Sequence, residues 1–437
     1  MAQRNGETAT NGPYAETGRS LSANTAGSDR SRHYVGTPPL PSRPALSAPV
    51  PDSGTMAPPP QQAQPRVGLA GLTFLAPLFF VLAFAAGGAE KSLQVLGPLS
   101  TFALPVVAVV AFWWEDWPGS SLRAGWSGLT DTLIVMACAL GFTLVGQAVI
   151  ANFDVEAVFN ANPGTGHVDT FPHTLPLAAG VFTAILQLTL VTEGWPFRRL
   201  GRVLSGLAAL AASWGIAVAA YLILVGLDTP PTGGLRDPGG PVSPPAYGAW
   251  LTALGAWQVV FFVGLRGWPF KAIRSKAIRL PVANAVVIAC AWISYLILRH
   301  PLDWPAGKIT AVAGCSIAAL LLVAMLFEAW PWINLRPLPG RTGVVITSIV
   351  VTGLLYWALD AYAQSVHWGR SHPEDWIAYG ALNVISLGVI LHVAIWKRWP
   401  AVVDAAPQQP VHTDGLSRGD GPRQRSGEEA DTESSEE

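Results

Sequence analysis

Long apolar runs separated by short polar stretches fill the chain from position 67 to 399, and neither end shows them. They lie at about 67–88, 96–114, 126–150, 175–194, 204–226, 247–266, 280–298, 308–329, 342–362 and 376–396. Each is close to the roughly 20 apolar residues that a helix needs to cross a hydrocarbon core about 30 Å thick. None alternates as a half-buried strand does. The pattern predicts an all-α, polytopic integral membrane protein with about ten transmembrane helices.

Every second run stops on the same two residues. "EDWP" stands at 115–118, "TEGWPF" at 192–197, "RGWP" at 266–269, "EAWP" at 328–331 and "KRWP" at 397–400. The amphipathic Trp ring favours a head-group boundary, and Pro cannot continue a helix without losing a hydrogen bond and clashing with the preceding turn. Trp followed by Pro is therefore sufficient to stop a helix at a membrane surface. The stops divide residues 67–400 into five hairpins of the same orientation, at about 67–118, 126–196, 204–269, 280–331 and 342–400. This arrangement differs from the inverted repeats of many transporters.

Charge changes the picture through its placement. Only 13% of the 437 residues are charged and half are hydrophobic, whereas a soluble domain carries about 25% charged residues. The formal net charge of −1 provides no basic footprint for nucleic acid. Cations crowd the loops at the Trp-Pro side: Arg198, Arg199, Arg202, Arg266, Lys271, Arg274, Lys276, Arg279, Arg336, Arg341, Lys397 and Arg398. The opposite loops are rich in acids, among them Asp154, Glu156, Asp169, Asp303, Glu374 and Asp375. Because cytoplasmic loops retain Lys and Arg, the Trp-Pro stops and both termini are expected on the cytoplasmic side of the cell membrane.

Residues 1–66 are rich in Pro, Ser, Gly, Ala and Thr without a hydrophobic period, and 401–437 end in the acidic "GEEADTESSEE". Both compositions predict disordered cytoplasmic tails. Heavy use of Ala, Gly, Arg and Trp with little Lys points to a bacterial source of high GC content. Cys138, Cys290 and Cys315 fall inside apolar runs without ligand spacing and read as buried small side chains.

Three polar sets are candidates for chemistry. The first is on the acidic side, where "HPLDW" at 300–304 and "HPEDW" at 372–376 precede two return helices and "HVDTFPH" at 167–173 precedes another. Pro and Asp at a helix start and Trp at an interface account for these words structurally. Converging imidazoles and carboxylates would instead bind a divalent metal or sense pH, with His300, Asp303, His372, Asp375, His167 and Asp169 as ligands. The second set, Gln187, Gln258 and His392, lies deep in the runs and is expected either to line a central cavity or to join helices. The third stands two residues before each Trp of the stops: Glu115, Glu193, Arg266, Glu328 and Lys397. These are three acids and two bases at equivalent depth and would form a ring of ion pairs at the inner rim.

His-Glu-x-x-His, Cys-x-x-Cys and phosphate-cradling glycine loops are missing from the sequence. The leading expectation is a permease or transporter-like protein for a small solute. The alternatives are a membrane scaffold or sensor, and an enzyme with an outward-facing His/Asp site. The bilayer, a small solute and a second copy or a membrane-complex subunit are the partners expected. No cofactor is expected beyond a metal at the His/Asp loops.

Overall fold

The computed structural model describes residues 64–123, 125–227 and 234–400. The tails expected at 1–66 and 401–437 lie outside these residues, apart from 64–66. The described chain is helical: α1 (Arg66–Phe84), α2 (Ala89–Phe112), α3 (Trp126–Ile150), a short α4 (Val155–Phe159), α5 (Leu175–Val191), α6 (Arg202–Leu224), α7 (Pro244–Gly264), α8 (Lys276–Arg299), α9 (Ala306–Leu326), α10 (Pro337–Ala363) and α11 (Pro373–Ile395). Among the described residues there is no strand, only an isolated bridge between Val225 and Val242. Nine of the helices are long and apolar enough to cross a membrane, and α5 is shorter.

The helices that lead into the Trp-Pro pairs form a closed ring. α2 packs on α5, α5 on α7, α7 on α9, α9 on α11 and α11 on α2. The other long helices lie outside it, with α3 on α2, α6 on α5, α8 on α7, α10 on α9, and α1 on α11 and α2. Burial follows: 72% of the most apolar window of α2 is buried, against 22% in α1, α8 and α10.

The sequence explains the division. Ring helices bury small residues, as α9 does with Ala311, Gly314, Cys315, Ala318 and Ala319, and small residues let backbones approach closely. The peripheral helices leave large apolar side chains uncovered, including Phe80, Met136, Ile223, Ile349 and Trp357. Cys315 is fully buried, whereas Cys138 and Cys290 are only partly so, because they sit on the peripheral helices α3 and α8.

All five ring helices stop through one backbone pattern. At the end of α5, the Thr192 N–H donates to the Gln187 carbonyl, the Gly194 N–H to Leu188 and the Trp195 N–H to Thr192. The same three bonds recur at Trp114, Asp116 and Trp117; at Leu265, Gly267 and Trp268; at Phe327, Ala329 and Trp330; and at Trp396, Arg398 and Trp399. The last turn is thereby widened. Two consecutive residues then take left-handed conformations, with φ from 49° at Lys397 to 81° at Gly267. A cis Trp-Pro bond follows in each case.

Candidate functional site

A cavity of about 460 Å³ occupies the ring at the end opposite the Trp-Pro stops. Every ring helix contributes to it from its first half: Gly97 and Thr101 of α2, Pro176 and Ala179 of α5, Gly248 and Thr252 of α7, Gly307 and Thr310 of α9, and Tyr379 and Asn383 of α11. Leu93, Leu175, Pro244 and Leu382 supply apolar wall, and His173 and Asp375 lie among its charged or titratable lining groups. Burial pushes the His173 imidazole below its ordinary range, so the ring is neutral at pH 7.

Asn383 sets the polar character of the cavity. Its Nδ2 donates to Thr101 Oγ1 at 2.7 Å and to the Gly97 carbonyl at 3.3 Å. A carbonyl can only accept, so the amide nitrogen must face Gly97, and Oδ1 is left buried without a partner. An unpaired buried acceptor costs about 1–3 kcal/mol. The hydroxyl and carboxylate groups of the wall have no donor to spare either. The Thr252 and Thr310 hydroxyls donate to the carbonyls of Gly248 and Ala306, the Tyr379 hydroxyl donates to Leu82, and Asp375 Oδ2 accepts the His372 N–H. Apart from the one ring N–H of the neutral His173, the wall thus offers acceptors and asks for donors.

Nearer the Trp-Pro end the ring helices pack through apolar side chains. Leu104, Val107, Leu186, Leu387 and Leu391 form one cluster, and Val259, Ile317, Leu321 and Val389 another.

Gln187, Gln258 and His392 are not among the residues that line this cavity. Gln258 Nε2 donates to the Thr183 carbonyl at 3.0 Å and to Gln187 Oε1 at 2.6 Å. Gln187 Nε2 in turn donates to Asn284 Oδ1 at 2.7 Å. The chain of amides ties α7 to α5 and α5 to α8. His392 is buried and stacks on Phe74 of α1 with ring centroids 4.9 Å apart. These polar groups join helices because their faces point at neighbouring helices. The lining residues carry a sequence signal of their own that composition and motif scanning miss: a Gly and a Thr one turn apart, at 97 and 101, 248 and 252, and 307 and 310.

The six candidate metal ligands are engaged separately. His167 Nδ1 lies 2.6 Å from Asp154 Oδ2, while Asp169 pairs with Arg370. At the start of α11 the Asp375 carboxylate accepts the N–H of His372, the N-cap residue, and the Asp375 N–H donates to the His372 carbonyl. His300 caps the end of α8, and Asp303 faces Arg299 at 3.8 Å. Among the described residues no group of three or more His, Cys, Asp or Glu side chains converges to hold a metal ion. Each carboxylate already has a nearby partner, and the words that look alike in sequence end or begin different helices.

The Asp154–His167 pair shifts both groups. Desolvation pushes Asp154 up, but hydrogen bonds from His167 and from backbone N–H groups outweigh it and hold the carboxyl below its ordinary range. The hydrogen bond to Asp154 holds His167 above its own.

The five charges before the Trp-Pro stops do not pair with one another. Glu193 pairs with Arg279 at 2.8 Å and Lys276 at 3.6 Å, and Glu115 with Arg202 at 3.8 Å. Glu328 pairs with Arg398 at 2.8 Å, and Lys397 with Asp116 at 3.4 Å. Arg266 has no carboxylate partner among the described residues. Links between neighbouring ring-helix ends use the following residue, Asp116 or Arg398, because the second left-handed position is the more buried one. The Asp116 side chain is 16% exposed and that of Glu115 76%. Burial holds the Asp116 carboxyl above its ordinary range, against the opposing pull of Lys397.

No known protein family matches the chain, and no curated protein or solved structure matches it.

Proposed function

We propose that the chain is a ten-span protein of the bacterial cytoplasmic membrane, built of five same-orientation hairpins, that acts as a permease for a small solute. The cavity bounded by all five ring helices carries this reading. Its apolar walls and surplus of acceptors, Asn383 Oδ1 above all, suit a compact apolar solute bearing hydroxyl or ammonium donors. The membrane reading rests on the uncovered Ile223, Ile349 and Trp357 of the peripheral helices, since soluble proteins rarely leave large contiguous apolar surfaces exposed. Cations at the Trp-Pro end favour a cytoplasmic location for that end, so the cavity opens to the outside.

Uptake of labelled small alcohols and amines by proteoliposomes tests the proposal. Asn383→Leu is expected to abolish uptake of the accepted solute while the purified variant keeps its thermal transition. Uptake unaffected by Asn383→Leu would remove the cavity from the function. The apolar layer between Asn383 and the Trp-Pro end favours a second reading, a sensor that holds the solute without passing it. Saturable binding without uptake selects that alternative.

A further inference from the structure

A second pocket, of about 280 Å³, lies at the Trp-Pro end between the termini of α5 and α7 and the start of α8. Leu190, Val191, Phe262 and Ala283 contribute apolar wall, and Arg198, Lys271 and Arg279 line it alongside the single carboxylate Glu193. Glu193 is already engaged by Arg279 and Lys276. Arg198 and Lys271 have no carboxylate within ion-pair distance among the described residues. The buried Nε of Arg279 also lacks an acceptor.

The backbone aims these two cations. Arg198 and Lys271 each follow a left-handed glycine by four residues, and their stems lie across it. A Cβ on Gly194 would sit 2.5 Å from the Arg198 side chain, and one on Gly267 would sit 2.7 Å from that of Lys271. At the same left-handed position the other three stops carry Asp116, Ala329 and Arg398. Where the fourth residue beyond is described it is Ser120 or Ile333, neither of them a cation.

We infer that this pocket binds the phosphodiester of an anionic membrane lipid. Two cations without a carboxylate, one of them resting over the Trp113 ring, and a spare guanidinium donor suit phosphate oxygens. The apolar side chains beside them suit the glycerol and upper acyl chain, and α8 exposes Ile278, Val282 and Ile288, along which the chain can lie. Basic pockets between helices at the cytoplasmic surface are where such head groups dock. The inference rests on the membrane reading above.

The test uses full-length protein, delipidated in detergent, with phosphatidylglycerol, phosphatidylcholine or inorganic phosphate as the added molecule. Retention is read by native mass spectrometry and stabilisation by the thermal transition. Phosphatidylglycerol is expected to be retained and to raise the transition, with phosphatidylcholine inert and inorganic phosphate giving a smaller shift that salt removes. Arg198→Gln with Lys271→Gln leaves the Glu193–Arg279 pair intact and is expected to weaken phosphatidylglycerol binding about thirtyfold, from roughly 1 kcal/mol per cation. Arg336→Gln, at the same end but outside the pocket, is expected to keep full affinity.

Equal retention of phosphatidylcholine by the wild-type protein, or undiminished phosphatidylglycerol binding by the double variant, overturns the inference. Inorganic phosphate stabilising as strongly as the lipid would assign the pocket to a free anion and overturn it too. If the double variant does not fold, Lys271→Gln alone, compared with Arg336→Gln, decides by the same criterion. Release of the wild-type protein from membranes by alkaline carbonate would defeat the membrane reading itself, an outcome distinct from loss of lipid selectivity.

Discussion

At the Trp-Pro end, each ring helix is stopped by its own backbone, through a widened last turn, two left-handed residues and the same three hydrogen bonds. At the opposite end, several connections are held by side chains that reach across hundreds of residues of chain. The Glu90 carboxylate accepts the N–H groups of Gly369, Arg370 and Ser371, and Arg370 continues to Asp169 and Asn162. A stop made from local backbone bonds tolerates acids, bases, Ala or Gly at its left-handed positions, so it can recur while the side chains differ. Loops held by side chains can diverge, and the connection that leads into α5 supplies Pro172 and His173 to the cavity. One end of the molecule is thus uniform and the other varies from loop to loop, as loops on a rigid scaffold do.

The sharpest way to break this contrast is Glu90→Ala. It leaves three backbone donors without their shared charged acceptor and is expected to destabilise the protein by about 2–3 kcal/mol, since bonds to charged groups are the strong ones. Denaturant unfolding in detergent checks it. A loss under about 0.5 kcal/mol would mean that the loop end is held locally too.

An intermediate effect belongs to the other end. Gly267→Ala puts a Cβ into a left-handed position and against Lys271, at an expected cost of about 1–2 kcal/mol. Gly201→Ala, nearby but at φ −56° and with open space around it, is expected to be close to neutral. Equal costs at both positions would deny the left-handed stop its role.

The smallest effect is expected from the Asp154–His167 pair, which is held on a loop. His167 is raised, so its contribution is complete below the unfolded imidazole value and fades as pH rises through the folded one. Asp154 is lowered, so its contribution is complete above the unfolded carboxyl value and fades as pH falls through the folded one. The pair therefore stabilises most between about pH 4 and 6.5. The difference in thermal transition between wild type and His167→Gln, measured from pH 3 to 9, should be largest inside that window and decline on either side of it. A flat difference would mean the pair is not coupled to folding.

Helix existence was legible in the sequence because apolar length is a one-dimensional property, and all ten runs coincide with helices. Their starts were less so. α2 begins at Ala89, well before its apolar run, because Glu90, Lys91 and Gln94 continue the helix into polar surroundings.

The two His-Pro words show where sequence reading stops. "HPEDW" opens α11, with His372 as its cap. "HPLDW" follows the end of α8, with Asp303 left-handed at φ 50°, and α9 begins only at Ala306. The difference is Pro305, which disfavours helical backbone at Trp304. The deep amides were visible as polar residues, but which face of a helix meets a neighbour and which meets a cavity depends on the order of packing around the ring. That order is set by contacts distant in sequence.

Five is an odd number, and it bears on how a solute could cross. Many carriers alternate by rocking one half of a duplicated structure against the other about a central site. A ring of five helices has no line that divides it into equal bodies, so that motion lacks a natural hinge here. In the proposed permease, opening the apolar layer between Asn383 and the Trp-Pro end would call instead for a small outward shift of several ring helices together, as the blades of an iris move. Each Trp-Pro stop would then act as the pivot of one blade.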